Sequence, residues 1–398
     1  MLFPVSKSLL LAVSAATAAN AHTIFSNFFV DGVNQGDAKC VRMSNINSAA
    51  TNPIKGIESK DMGCGVNGEN GVARVCPVDA GSVITFEYRT WPDASQPGAI
   101  DISHKGPCAV YMKKVDDASA SNNCAGPGWF KIFQEDYDSG SKKWCTEKLI
   151  DNDGHLSVKL PSDIQGGHYL LRPELLALHQ ADKSPADPQF YVGAAQIFVN
   201  GEGTAVPTDT VSIPGYVSME KNNAAMTFNI WNPVMALPFP QFGPAVYTSN
   251  AKRSLETRAA PVQSVGLTPA NCILENGNWC GTEVPNYSSE SGCWDSSEKC
   301  WAQSTTCYDT AGPTGSKNCH LWESKCEAIQ QACGSGNFNG PPNKGEVLTP
   351  ALKKVTLPAP ENSSGTVVSG SSGSSTKAPQ PSPAENEGKS AQTTTPLF

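Results

Sequence analysis

Between His22 and Tyr247 the hydrophobic positions come in short runs, and clusters of Gly, Pro, Asn and Asp separate the runs. In Ser82–Arg89, Ile84, Phe86 and Tyr88 fall on one face. Leu156, Val158 and Leu160 alternate with polar residues, and Tyr191, Gly193, Ala195, Ile197 and Val199 share a second face. His22–Val30 is rich in Ile, Phe, Val and Thr, and Met226–Trp231 is a further run of the same kind. A period of two over so few residues predicts half-buried strands. Many such strands with turn signals between them predict an all-β domain, an antiparallel β-sandwich. Glu174–His179 reads differently: it follows Pro173, a residue suited to a first helical turn, and predicts one short helix.

The pattern changes along the chain and divides it. Residues 1–21 carry a single charge, Lys7, then the apolar run Ser8–Ala16, then Ala19-Asn20-Ala21, which together read as a secretory signal peptide with cleavage before His22. Residues 22–247 are the sandwich. Residues 248–270 are polar and aperiodic, a linker that contains the dibasic pair Lys252-Arg253, a candidate processing site. Residues 271–334 hold eight cysteines in a compact unit. Residues 335–398 are rich in Pro, Ser, Thr and Gly and are expected to be disordered, because they hold too little apolar surface to offset ordering. Asn286-Tyr287-Ser288 and Asn362-Ser363-Ser364 have the form of N-glycosylation acceptors.

Composition narrows the function. The chain has 398 residues, a net charge of −8 and only 17% charged residues. This balance argues against a nucleic-acid partner or an anionic membrane held by a basic patch. No apolar run approaches membrane-spanning length. Fourteen cysteines in an exported chain should be mostly disulfide-bonded.

Candidate chemistry starts at His22. Cleavage before it would leave an α-amine and an imidazole close enough to chelate one metal, and a third nitrogen would complete a tetragonal site suited to copper(II). Four further motifs follow in order: His104-Lys105-Gly106-Pro107, Tyr169–His179, Gln189-Phe190-Tyr191 and Ile213-Pro214-Gly215. Together with His22-Thr23-Ile24-Phe25 they resemble the fungal lytic polysaccharide monooxygenases of auxiliary activity family nine, over residues 22–247. The resemblance implies an immunoglobulin-like/fibronectin-like sandwich holding one copper ion. His22 and His104 match the family's histidine ligands, and Tyr191 its axial tyrosine. His179 and Gln189 match the pair that hydrogen-bonds oxygen species at the copper. The implied activity is oxidative cleavage of cellulose or a related β-glucan at C1 and/or C4. It would use O2 or H2O2 and an external electron donor, either a small reductant or cellobiose dehydrogenase, and the enzyme is expected to be a monomer.

The sequence also departs from the family pattern. The usual Arg-His-Glu is Arg172-Pro173-Glu174, so loss of a polar contact near the expected helix follows. The usual cysteine after Gln-x-Tyr is Ala194, so Cys64, taken as its customary partner, must bond elsewhere or stay free. Cys108, Cys124 and Cys145 are additional, and the six sandwich cysteines leave their pairing open. Phe239 stands where the family often has a tyrosine on its flat face, and Tyr216 is a second candidate for that face. His155 and His168 lack motif support and read as structural. Two other classes of function compete: a conventional glycoside hydrolase, for which Glu87, Asp101, Glu135 and Glu174 supply carboxylates, and a non-catalytic copper- or glycan-binding wall protein.

In the C-terminal unit, Cys293, Cys300 and Cys307 are seven apart, and so are Cys319, Cys326 and Cys333. Seven residues are nearly two helical turns, so each triple lines one face with a drift of about 20° per heptad. Gly312-Pro313-Thr314-Gly315 is a strong breaker between the triples. Two antiparallel helices would then pair Cys307 with Cys319, Cys300 with Cys326 and Cys293 with Cys333, leaving Cys272 for Cys280. A carbohydrate-binding appendage, a spacer and a cell-wall contact all fit such a module.

Overall fold

The structure is a computed structural model describing residues 22–44, 46–249 and 260–360, all within one compact unit. The signal peptide, Lys252-Arg253, Asn362 and the tail from residue 361 lie outside the described residues. The first strands are β1 (Ile24–Val30), β2 (Val33–Asp37), β3 (Val41–Arg42), β4 (Cys76–Asp79) and β5 (Val83–Arg89). Next come β6 (Cys108–Lys114), β7 (Gly126–Glu135), β8 (Tyr137–Asp138), β9 (Lys143–Trp144) and helix α1 (Cys145–Asp151). The sandwich closes with β10 (His155–Lys159), β11 (Gln165–Ala177), β12 (Gln189–Val192), β13 (Ala194–Glu202), β14 (Val211–Ile213) and helix α2 (Asn223–Met226). The module contains β15 (Cys272–Asn276), β16 (Trp279–Thr282), α3 (Glu290–Thr310) and α4 (Lys317–Gly334).

Two sheets form the sandwich. One runs β10-β5-β1-β2, and the other runs β14-β7-β6-β11-β13-β3, with β12 added to β11 and β4 to β13. The pairings are antiparallel except β4 with β13. Alternate residues of both sheets, among them Phe28, Phe86, Val110, Leu171, Leu175 and Ile197, meet in the inner core. The larger sheet also buries its outer face, where Tyr111, Trp129, Leu170, Leu176 and Phe198 pack under the long loops. Disulfides Cys40–Cys76, Cys64–Cys124 and Cys108–Cys145 lie within these cores, so Cys64 is not free.

Several expectations are corrected. Glu174–His179 is not a helix: Gln165–Ala177 is one strand, and Pro173 pairs with Val110 inside it. A strand buried on both faces reads as a continuous apolar run, which periodicity cannot tell from a helix. Leu175 enters the inner core and Leu176 the outer one. Met226–Trp231 is not a strand; it begins at the end of α2 and continues as turns. On either side of Pro173, which stands where the family has histidine, Arg172 and Glu174 form a fully buried ion pair at 2.6 Å.

The cysteine-rich unit is the expected hairpin, with rungs Cys307–Cys319, Cys300–Cys326 and Cys293–Cys333, and Cys272–Cys280 closing the small β15–β16 hairpin. It docks on the sandwich. The Asn278 amide donates to the Ala38 carbonyl and accepts from the Cys40 N–H, and Lys39 pairs with Glu275 at 2.9 Å. Order also extends past residue 334, against expectation. Val355 N–H donates to Gly32 O and Asn34 N–H to Lys353 O, so this segment adds a bridge to the edge of β2. Backbone pairing, which composition does not reveal, holds residues 335–360 in place. Within the expected linker, Val75 N–H donates to Gly266 O and the Gln263 amide to Val75 O.

Candidate active site

Strand directions bring the motif residues to one end of the sandwich. β1 starts where β5 ends, with Ile24 opposite Arg89, so His22 lies beside the loop that follows β5 and carries His104. β12 pairs with the end of β11, placing Tyr191 opposite Leu175, and His179 follows β11 directly. Lys105 and Pro107 accept the N–H groups of Leu178 and Leu176, which ties the His104 loop to the end of β11. Gly106 permits this approach: a Cβ there would sit 1.8 Å from the Leu176 carbonyl oxygen.

The rings converge. His22, His104 and Tyr191 have centroids 5.9–6.0 Å apart, and the His179 ring lies 3.9 Å from that of His104. His104 and Tyr191 are almost fully buried. Asp101 accepts both the Ser103 hydroxyl, at 2.6 Å, and the Ser103 N–H. With its proton given to Asp101, the Ser103 oxygen is left to accept from His104 Nδ1 at 3.2 Å. That network puts the imidazole proton on Nδ1 and leaves Nε2 a bare lone pair. Nε2 is buried with no hydrogen-bond partner. Burial, reinforced by the neighbouring His179, lowers the His104 pKa to about 4, so the ring is neutral at ordinary pH. Burial also lowers the His179 pKa, and its Nδ1 is buried without a partner. His22 Nδ1 lies 3.2 Å from Asn52 Oδ1.

Tyr191 donates its hydroxyl to Gln189 Oε1 at 3.0 Å, and Gln189 donates from Nε2 to Asp187. Burial, then the Asp187 charge, raises the Tyr191 pKa, so the phenol stays protonated. The carboxylates considered for hydrolysis are committed elsewhere: Glu87 to Arg89, Asp101 to Ser103, Glu135 to Lys148, and Glu174 to Arg172 and Tyr216.

Neither candidate for a flat aromatic face is on the surface. Phe239 is 2% exposed, packed against Trp144, Phe228 and Phe242, and Tyr216 is buried with its hydroxyl between Arg172 and Glu174. Sequence reasoning missed Trp231. It is 49% exposed, and its indole N–H donates to the His179 carbonyl at 3.1 Å. Its signal was the following Asn232-Pro233, a turn pair that ends a strand reading. His155, against Phe29 and the Asn152 carbonyl, and His168, against Phe198, lie outside the cluster.

Residues 22–237 match Auxiliary Activity family 9 (formerly GH61). An AA9 family lytic polysaccharide monooxygenase C of Aspergillus tamarii is 57% identical over 346 residues, 85% of this chain and 92% of that protein. An AA9 family lytic polysaccharide monooxygenase H of Botryotinia fuckeliana is 48% identical over 369 residues, 89% of this chain and 83% of that one. Both alignments are longer than the family match and so take in part of the C-terminal region. The solved structure of CvAA9A superposes with a TM-score of 0.50 at 31% identity, covering 57% of this chain and 98% of that one. The family match and these relatives make the chain a copper-dependent polysaccharide monooxygenase. The chain belongs to Auxiliary Activity family 9: it is secreted, uses one copper ion, and acts on β-1,4-glucan with an external electron donor.

Proposed function

We propose that His22, His104 and Tyr191 would hold the copper, and that His179 and Gln189 act beside it in oxidation of a glucosyl unit at C1 and/or C4. The observation that carries this reading is the bare, buried Nε2 of His104, on a ring whose centroid lies 5.9 Å from that of the His22 imidazole. A buried nitrogen lone pair without a donor is costly unless something fills it. Among the described residues no three His, Cys, Asp or Glu side chains form a metal-binding group. The donor set is completed by the α-amine that cleavage before His22 would free, and three nitrogens suit copper(II). Bound there, copper supplies the one-electron chemistry with O2 or H2O2 that oxidises the sugar carbon.

The surrounding residues hold protons and orient groups. Ser103 and Asp101 keep His104 in the tautomer that presents Nε2. Gln189 Oε1 accepts the Tyr191 hydroxyl hydrogen bond, which turns the phenol oxygen lone pairs away from Gln189. His179, stacked on His104 with Nδ1 free of protein partners, is placed to hold or pass a proton at that atom. Trp231, its indole fixed to the His179 backbone, offers a ring face to a glucosyl unit at the rim.

The test separates these roles. One extra alanine before His22 should abolish tight copper binding in a titration, as should His104→Ala; retained affinity in both would overturn the copper assignment. Gln189→Ala should keep copper and slow oxidation roughly 10–100-fold. Tyr191→Phe should keep copper and change its EPR spectrum. In the same assays, Trp231→Ala should raise KM for a soluble cello-oligosaccharide about fivefold with copper affinity unchanged.

A further inference from the structure

Each cysteine of α3 is followed by an aromatic residue: Cys293-Trp294, Cys300-Trp301 and Cys307-Tyr308. The cysteines face α4 through the three rungs. Ser296, which donates to Pro285 O, and Gln303, which bonds the Thr282 backbone, mark the side facing the β15–β16 hairpin. At 100° per residue, Trp294, Trp301 and Tyr308 lie within about 40° of one another and roughly half a turn from Ser296 and Gln303. They therefore form one stripe on the side of α3 turned away from that hairpin. Trp294 is 43% exposed, and Trp301 and Tyr308 are half-buried, rooted in the module. The Tyr308 hydroxyl is held between Glu323 and His320 of α4, at 2.6 and 2.7 Å, which fixes the ring. Exposed Glu298 and Thr305 lie between successive rings.

The spacing points to a ligand. Seven helical residues rise about 10.5 Å. That is close to one disaccharide repeat of an extended β-1,4-glucan, in which every second ring presents the same face. A helix kept straight by disulfide rungs thus offers a stacking ring at each repeat and a hydrogen-bonding side chain between. We propose that the Trp294–Trp301–Tyr308 stripe is a second glucan-binding site, a ruler that takes an extended β-1,4-linked chain along α3 and uses none of the residues assigned to the copper. It would hold the enzyme on polymeric substrate, whereas short soluble oligosaccharides would react without it.

Adsorption of the full-length, copper-stripped protein to microcrystalline cellulose tests this and does not depend on the copper ligands. Trp294→Ala, at an exposed position, should weaken adsorption about fivefold, and Trp294→Phe should retain most of it. The double variant Trp294→Ala/Glu298→Trp keeps an exposed indole but moves it one turn, out of step with the repeat, and should stay weak. Copper-loaded Trp294→Ala should oxidise a soluble cello-oligosaccharide at the parent rate. Parent-like adsorption by Trp294→Ala would overturn the proposal. So would full recovery in the double variant, which would leave only non-specific stickiness, or an equal loss of turnover on the soluble substrate.

Discussion

In the sandwich, buried side chains line both faces of the larger sheet, and its three disulfides sit inside those cores. In the module, four of the ten residues of the buried cluster are rung cysteines, and the rest gather around Trp322 and Ile329. The sandwich has enough interior to bury even a complete ion pair, Arg172 with Glu174, beneath Tyr111 and Tyr216. The module has no such depth, and both its helices carry mostly polar side chains. A unit this small gains too little from burial alone, so covalent rungs take over the part that packing plays in the larger domain. The difference predicts how each half fails: the sandwich through its buried polar groups, the module through its cross-links.

The largest effect should come from the sandwich. Arg172→Met removes the partner of a buried carboxylate and three hydrogen bonds, to Met62 O, Glu174 and the Tyr216 hydroxyl. Breaking such a pair costs about 3–5 kcal/mol. In a domain of this size that lowers Tm by roughly 10 °C. Arg172→Met/Glu174→Leu should recover much of the loss, because no charge is then left unpaired. A double variant less stable than the single one would show that the pair itself, and not the stranded charge, carries the stability.

The module should respond to the middle rung. Cys300→Ser/Cys326→Ser opens a link across 26 residues. The chain-entropy relation gives about 3.5 kcal/mol for a loop of that length. Limited proteolysis should then cut between residues 283 and 340 while the sandwich transition in calorimetry stays where it was. A matching fall in the sandwich transition would mean that the two units share one core.

The same contrast explains what was legible in the sequence. The rungs could be written down because two equal spacings around a breaker admit one antiparallel arrangement. The convergence of His22, His104, His179, Gln189 and Tyr191 was legible because their short motifs, in order, resemble those of the family. Gln165–Ala177 was misread in part because burial on both faces erases alternation. Phe239 and Tyr216 were misplaced because an aromatic residue looks the same whether it faces solvent or core. The Cys64–Cys124 pairing needed the loops in place. Residues 335–360 read as a tail because their order rests on backbone hydrogen bonds to Tyr287, Ile273 and the edge of β2, which leave no mark on composition.

The smallest expected effect lies at the junction, where Asn278 makes two of the joining hydrogen bonds. Ala38 and Cys40 adopt left-handed backbone conformations, with φ of 60° and 62°. Neither is glycine, so each costs about 1–2 kcal/mol against an ordinary conformation. Asn278, reaching from the module, accepts from the Cys40 N–H at 3.0 Å and donates to the Ala38 carbonyl at 2.8 Å. The amide therefore couples module docking to the shape of the β2–β3 connection, while Cys40–Cys76 holds that connection from the sandwich side. Asn278→Ala leaves both backbone groups without this partner, at a cost of about 1–3 kcal/mol. Calorimetry should show the module melting at a lower temperature, separated from a sandwich transition that hardly moves. Asn278→Asp keeps an acceptor for Cys40 but sets a carboxylate against the Ala38 carbonyl oxygen, so it should destabilise docking at least as much as alanine does. A milder result for aspartate would assign the docking to the Cys40 bond alone, and a single unchanged transition in both variants would assign it to Lys39–Glu275 and the pairing with β2.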